Sequence, residues 1–388
     1  MLLFNKTLAS NQRVLPVGLT LLHLIGLWGN RRERYRFGLL QSCIVVALIG
    51  PKAILGSGQV GFDSMARNLA EMIFLAENCI SIVIFVYRRK SFEQLIKVLE
   101  RFLHRDWPLP LRQEIELFNR RMHIFGLLYV VYICFMLIMY LSAPIVSTIV
   151  KMCFMDKAER GDFLLVMEVQ FYWLDIRRNI LHYTIYMIFC CPASACSAYQ
   201  STIKGAVFLV IIQYGSKLFD LVAKRIAAME QLVNPNERRD ELRKIIELHN
   251  LALKYLEHLE TTVSLILINQ TMNCILIWCL LMIYISTNFG PNAANVILLF
   301  VVLFGEMVVY CINGTLLSDK ASKVVDAMYG YPWYQESVEM QKGAILVIQR
   351  AQRKSGITAA KFYFVNVARL GSMMQATYSY YLILKDRF

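Results

Sequence analysis

Charge is scarce in this sequence: only 18% of its 388 residues are Asp, Glu, Lys or Arg. The marks of soluble chemistry are missing as well. There is no Cys-x-x-Cys pair for zinc, no His-Glu-x-x-His helix, no Gly-x-Ser-x-Gly elbow and no phosphate-binding glycine loop. Catalytic residues, a metal site and a cofactor are therefore not expected. Ten cysteines are present, but Cys43, Cys79, Cys134, Cys190, Cys191, Cys196, Cys274 and Cys279 lie within apolar runs, which argues against a disulfide framework. What is abundant is apolar. The hydrophobic fraction is 57%, against roughly 45 to 50% in soluble globular proteins, and it is gathered into runs of about 20 residues, the length that spans a bilayer. Disorder, a disulfide-rich secreted module and most soluble enzymes are excluded.

Seven apolar segments read as helices, at about 37 to 56, 66 to 87, 124 to 146, 183 to 203, 263 to 287, 293 to 314 and 358 to 384. The fold class expected is all-α, a polytopic membrane protein. The net charge of +13 could suggest nucleic acid, but its placement decides otherwise. Of 41 Lys and Arg, 30 fall in the N-terminal region and the segments after spans two, four and six, and 8 fall on the other side. Cytoplasmic loops carry such an excess, so the N-terminus is placed inside and the tail outside. Arg31, Arg32, Arg34 and Arg36 abut the first span directly. Leu15 to Trp28 is apolar without a cleavage pattern and reads as a docking segment rather than a signal peptide. Leu242, Ile245, Ile246, Leu248, His249, Leu253, Leu256 and Leu259 recur at helix spacing, so spans four and five continue inward as long helices over about 204–262. Asn234, Pro235 and Asn236 mark the turn between them. His249 and His258 read as packing or hydrogen-bonding residues of that inner helix.

Candidate sites come from the exceptions to apolar monotony. Span two carries Arg67, Glu71, Glu77 and Asn78, and ionisable groups at membrane depth are functional candidates. Arg67 and Glu71, one turn apart, are expected to pair; Glu77 lies deeper and needs a polar cavity, a donor or a proton. The outer halves of spans two to six are rich in aromatics and methionine. Met72, Ile73, Phe74, Glu77, Phe135, Met139, Tyr140, Tyr183, Tyr186, Met187, Trp278, Tyr284 and Phe300 are the candidate lining of a mainly apolar cavity for a small neutral ligand. Any one of them taken alone reads more readily as a core or lipid-facing residue, and the expectation rests on the group. Pro144 and Pro192 stand where kinks would open space. The last span carries a small and polar stripe: Ala368, Ser372, Gln375, Ser379, Ile383 and Asp386. Such a stripe suits either a water-filled path or a tight helix contact. A path needs several copies around an axis, with Ile383 as a hydrophobic constriction.

The chain resembles the insect odorant receptors, in their odour-tuning form. The residues that carry the resemblance are Gly305 and Glu306, Tyr310 and Cys311, Asn313 and Gly314, then Ala327, Met328 and Tyr329, Trp333, the run Gln349, Arg350, Ala351, Gln352, and the ending Tyr378, Ser379, Tyr380, Tyr381. Leu248, His249 and Asn250 before span five, and Gly26, Leu27 and Trp28 early on, fit as well. The resemblance implies a seven-helix subunit that assembles with the olfactory co-receptor into a tetrameric odour-gated cation channel in the plasma membrane of sensory neurons. It implies a cytoplasmic segment over 1–36, a ligand-binding bundle over 37–314, a cytoplasmic anchor over 315–357 and a pore helix with its tail over 358–388. The short helix at about Trp333 to Gln352 would join the anchor. Ser372, Gln375, Ser379, Ile383 and Asp386 would line the pore, with Ile383 at the hydrophobic gate. The charged tail Lys385, Asp386, Arg387 departs from the co-receptor pattern, and the co-receptor's extended loop between spans four and five is absent. A gustatory-type homotetrameric channel is the nearest alternative. A G-protein-coupled receptor is disfavoured by the inverted charge bias and by the lack of Asp-Arg-Tyr after span three, and a transporter by the lack of internal repeats.

Overall fold

The computed structural model describes residues 15–28, 34–55, 62–155, 161–169, 171, 173–288 and 293–385. Eleven helices carry almost all of the described chain: α1 Pro16–Leu24, α2 Tyr35–Ile44, α3 Gly50–Leu55, α4 Phe62–Tyr87, α5 Arg89–Leu103, α6 Leu109–Phe154, α7 Ile180–Ala228, α8 Pro235–Thr287, α9 Ala294–Gly330, α10 Val338–Ala351 and α11 Val367–Lys385. A π turn, Val45–Ile49, joins α2 to α3 into one apolar rod. Six of these segments are long and apolar enough to cross a membrane, among the described residues. α11 spans 19 residues, but its serines, glutamine and tyrosines keep it outside that group.

α7 has 49 residues and α8 has 53, which at about 1.5 Å per residue is well over twice a hydrocarbon core of roughly 30 Å. Both are therefore longer than a bilayer core requires. Asn234 starts α8, its side chain accepting from Asn236 N at 3.0 Å ahead of Pro235 in the first turn. The C-terminal half of α7 and the N-terminal half of α8 pack together: Tyr255 donates its hydroxyl to the Ile211 carbonyl at 2.6 Å, and Arg225 pairs with Glu241. α5 buries Phe92, Leu95, Ile96, Val98, Leu99 and Phe102 on one face while Lys97 and Glu100 stay exposed, the pattern of a surface helix laid on a core. α10 is held to α8 by Arg239–Glu339 and, through the turn before it, by Arg238–Glu336. α1 docks on the bundle with Leu15, Leu22, Ile25 and Leu27 buried. α6 and α7 run without interruption through Pro144 and Pro192.

The last element starts later than the apolar composition suggests. Residues 358–366 are not helical: Thr358–Ala359 and Tyr363–Phe364 pair as a short antiparallel hairpin. Its turn holds Ala360 and Lys361 at φ 48° and 65°, a left-handed conformation that no helix tolerates. The hairpin is pinned to α8, where Ser264 accepts the Ala360 N–H through its carbonyl at 3.2 Å and its hydroxyl at 3.1 Å. α11 then begins under an Asn366 side chain that accepts from Arg369 N at 2.8 Å.

A candidate ligand cavity and an exposed helix stripe

The main cavity lies between α4, α6, α7 and α9 under the loop 161–179. It holds about 680 Å³ of non-protein space, its open side included. α4 contributes Glu71 and Phe74, α6 contributes Ile133, Met136, Leu137 and Tyr140, and the loop contributes Met167. α7 presents Ser194, Ser197, Ala198 and Ser201, and α9 presents Leu298, Leu299 and Val302. Helix periodicity explains the set, since the α6 and α7 positions recur at i, i+3, i+4 and i+7, one face of each helix.

The roof is fastened from below by a buried ion cluster. Glu71 accepts from Arg67 Nε at 2.8 Å and from Lys52 Nζ at 2.7 Å. The same cations reach the loop backbone, Lys52 donating to the Glu168 carbonyl at 2.6 Å and Arg67 to the Val166 carbonyl at 3.2 Å. Tyr140 donates its hydroxyl to the Val166 carbonyl at 2.9 Å, and Tyr186 accepts from Met167 N at 3.2 Å. Arg67 also lies over the Tyr284 ring at 5.6 Å. The expected Arg67 and Glu71 pair is thus present, within a larger network that no single helix reveals.

The expected lining divides. Phe74 and Tyr140 line the cavity. Phe135 and Met139 instead point outward, 56% and 47% exposed, because they sit on the opposite face of α6 from Met136 and Tyr140. Tyr183 and Tyr186 are buried against Phe163 and Phe171 of the loop, so they support the roof without lining the space. Trp278 and Phe300 pack with Phe304, and Ile73 and Tyr284 belong to an apolar cluster with Leu281 and Val296, on which the lining residues Phe74 and Leu299 also pack. Met72 and Met187 are half-buried and lie off the cavity wall. Glu77 is not a lining residue either. It accepts from Lys204 Nζ at 3.2 and 3.3 Å and from Ser81 Oγ at 2.8 Å, and Lys204 also lies 3.5 Å from Glu306. Lys204, placed with the inner charges by its position in the sequence, is therefore a buried counter-ion between helices. The serines of α7 escaped the sequence reading, although their spacing of three and four was the available signal.

On α11, Ser372, Gln375, Ser379 and Ile383 are all exposed, whereas Met373 and Thr377 are buried against the bundle. Tyr381 and Leu384 pack on Ala66, Cys279 and Ile283. The polar stripe thus faces away from the body of the molecule. Asp386 lies outside the described residues.

The family model described as 7tm odorant receptor matches residues 62–378. The chain belongs to the 7tm odorant receptor family. Among its relatives, odorant receptor 13a of Drosophila melanogaster is 23% identical over 96% of this chain and 95% of that protein. The odorant receptor coreceptor of Harpegnathos saltator is 30% identical over 24% of this chain and 19% of that one. The chain thus spans about a fifth of the length of the co-receptors it matches. The fold matches the insect olfactory receptor OR5 of Machilis hrabei in complex with eugenol, with TM-score 0.79 and 15% identity over 96% of this chain and 97% of that one. A second structure of the same receptor gives a TM-score of 0.77 at 15% identity over 95% of this chain and 96% of that one. This odorant receptor family member is an all-α polytopic membrane protein.

Proposed function

We propose that the chain is an odour-tuning subunit of a ligand-gated cation channel in the plasma membrane, partnered by the olfactory co-receptor. The observation that carries the reading is the roofed, mainly apolar cavity among α4, α6, α7 and α9. A small volatile held there favours whichever arrangement of these helices binds it more tightly. α9 supplies the link to the pore: its outer end lines the cavity with Leu298, Leu299 and Val302, and its inner half holds the start of α11 through Thr315 Oγ1, which accepts from Val367 N at 3.1 Å. A tilt of α9 is therefore passed to α11. In an assembly, the exposed stripe Ser372, Gln375, Ser379 and Ile383 lines the path, with Ile383 as the constriction. The charge bias supports a cytoplasmic N-terminus, and the inner halves of α7 and α8 with α10 form the anchor between subunits.

The test is expression with and without the co-receptor and a panel of volatiles. Cation currents that appear only with the partner are the expected result. Currents from the chain alone support a homomeric channel instead, and silence with confirmed surface expression rejects the channel reading.

A further inference from the structure

Around the cavity, the charged and phenolic groups already have protein partners. One Glu71 oxygen accepts from Arg67, and the other accepts from Lys52 and from Glu168 N at 2.9 Å. Two buried cations answer this carboxylate, so it offers no free charge to an amine; the same contacts leave neither cation free for an acid. Tyr140 is engaged with the Val166 carbonyl, and Ser194 Oγ lies 3.8 Å from Cys190 Sγ. Ser197 and Ser201 differ. They are 3% and 6% exposed, yet among the described residues neither hydroxyl has a hydrogen-bond partner. Helical hydroxyls usually return to the carbonyl one turn back, as Thr202 does to Ala198 at 2.7 Å and Ser216 to Ile212 at 3.3 Å. Ser197 and Ser201 instead stand four residues apart on the cavity wall, in a lining that is otherwise apolar apart from the engaged groups.

We propose that Ser197 and Ser201 anchor the ligand's polar group, and that the cavity selects neutral, mainly apolar molecules carrying one oxygen function: an alcohol, aldehyde, ketone, ester or ether. The proposal rests on the cavity being the ligand site. A ligand that fills the cavity displaces water from these two hydroxyls, and a ligand oxygen that bonds to them recovers the hydrogen bonds lost. A hydrocarbon of the same shape fills the space and leaves both hydroxyls unpaired. An ammonium or carboxylate ligand must shed its water with no free counter-charge to receive it. The polar wall thus sets the class of ligand, and the apolar walls set its size and shape.

The probes are two matched sets, octane, octanol, octanone and octylamine, and ethylbenzene, phenylethanol, acetophenone and phenylethylamine. Currents are recorded with the co-receptor present. In the better-fitting set the oxygenated members are expected to be about tenfold or more potent than the hydrocarbon, and the amine silent. The Ser197→Ala/Ser201→Ala double variant removes that advantage, bringing the oxygenated members to within about threefold of the hydrocarbon. Ser197→Thr, which keeps a hydroxyl, retains it. An oxygen preference that survives in the double variant overturns the proposal, as does a wild-type response in which the hydrocarbon or the amine equals the oxygenated members. Both outcomes leave the channel reading standing. Silence to all probes with the protein at the cell surface overturns that reading, and the proposal with it.

Discussion

His249 shows how one buried side chain ties folding to pH. It is 3% exposed on the N-terminal half of α8, edge-on to Phe219 at 6.3 Å. Burial, and then the Arg350 charge, push its pKa down to about 4 from an ordinary 6.5. The folded state therefore holds the imidazole neutral, and between those two values the unfolded chain binds the extra proton. Stability is complete above about pH 6.5, falls as the pH drops towards 4, and loses about 3 kcal/mol over that interval. Melting in detergent at about pH 7.5 and about pH 5 should show a drop for the wild type and a much smaller one for His249→Leu. Equal drops would mean that other groups carry the acid sensitivity. Lys204 illustrates the other kind of buried charge. It answers two carboxylates on different helices, Glu77 on α4 and Glu306 on α9, at the level where α7 turns from cavity wall to inner core. Breaking such a site by removing one partner costs more than the intact pair contributes, so it fixes the register of three helices around the floor of the cavity.

At the scale of elements, Gly314 is the point where α9 and the hairpin meet. A Cβ there would overlap the Val365 carbonyl oxygen and crowd its carbonyl carbon. Backbone cannot swing aside as a side chain does, and the next residue, Thr315, already holds the first N–H of α11. Gly314→Ala should therefore destabilise the protein by about 1 to 3 kcal/mol and lower its surface expression, while Gly330→Ala, with nothing near the added atom, should change neither. A thermal melt of both variants in detergent decides; an unchanged Gly314→Ala would show that the hairpin is not held tightly on α9. This junction was illegible in the sequence, for a physical reason. Apolar runs and helical spacing revealed the long helices, because each must bury a continuous stripe. They gave no warning of a chain reversal at Ala360 and Lys361, which adopt positive φ without being glycine. The cavity was half legible on the same grounds. Lipid and an apolar pocket select the same side chains, so Phe135 and Met139 could not be told from Met136 and Tyr140 until the faces of α6 were known. Polar serines on one face of α7 were the better signal, since lipid does not favour them.

At the scale of the whole molecule, one polar stripe of α11 is left uncovered. A lone helix in a bilayer has no reason to turn Ser372, Gln375 and Ser379 away from its neighbours towards lipid, where their polar atoms find no partners. Yet α11 buries Met373 and Thr377 and leaves that stripe exposed, with Ile383 at its outer end 56% exposed. In the proposed assembly of several copies or partners around an axis the conflict is resolved, because the stripe would then face water and its one apolar member would form a ring narrow enough to exclude it. The energy that closes such a ring is the cost of wetting apolar surface, and a hydroxyl in place of the branched chain removes it. Ile383→Ser in the assembled channel should therefore raise the current without ligand severalfold relative to wild type at equal surface expression. The same substitution should leave the ranking of odorants unchanged, since the cavity is walled by α4, α6, α7 and α9. A variant whose resting current matches wild type would mean that the constriction is formed elsewhere along the path, or by the partner subunits alone.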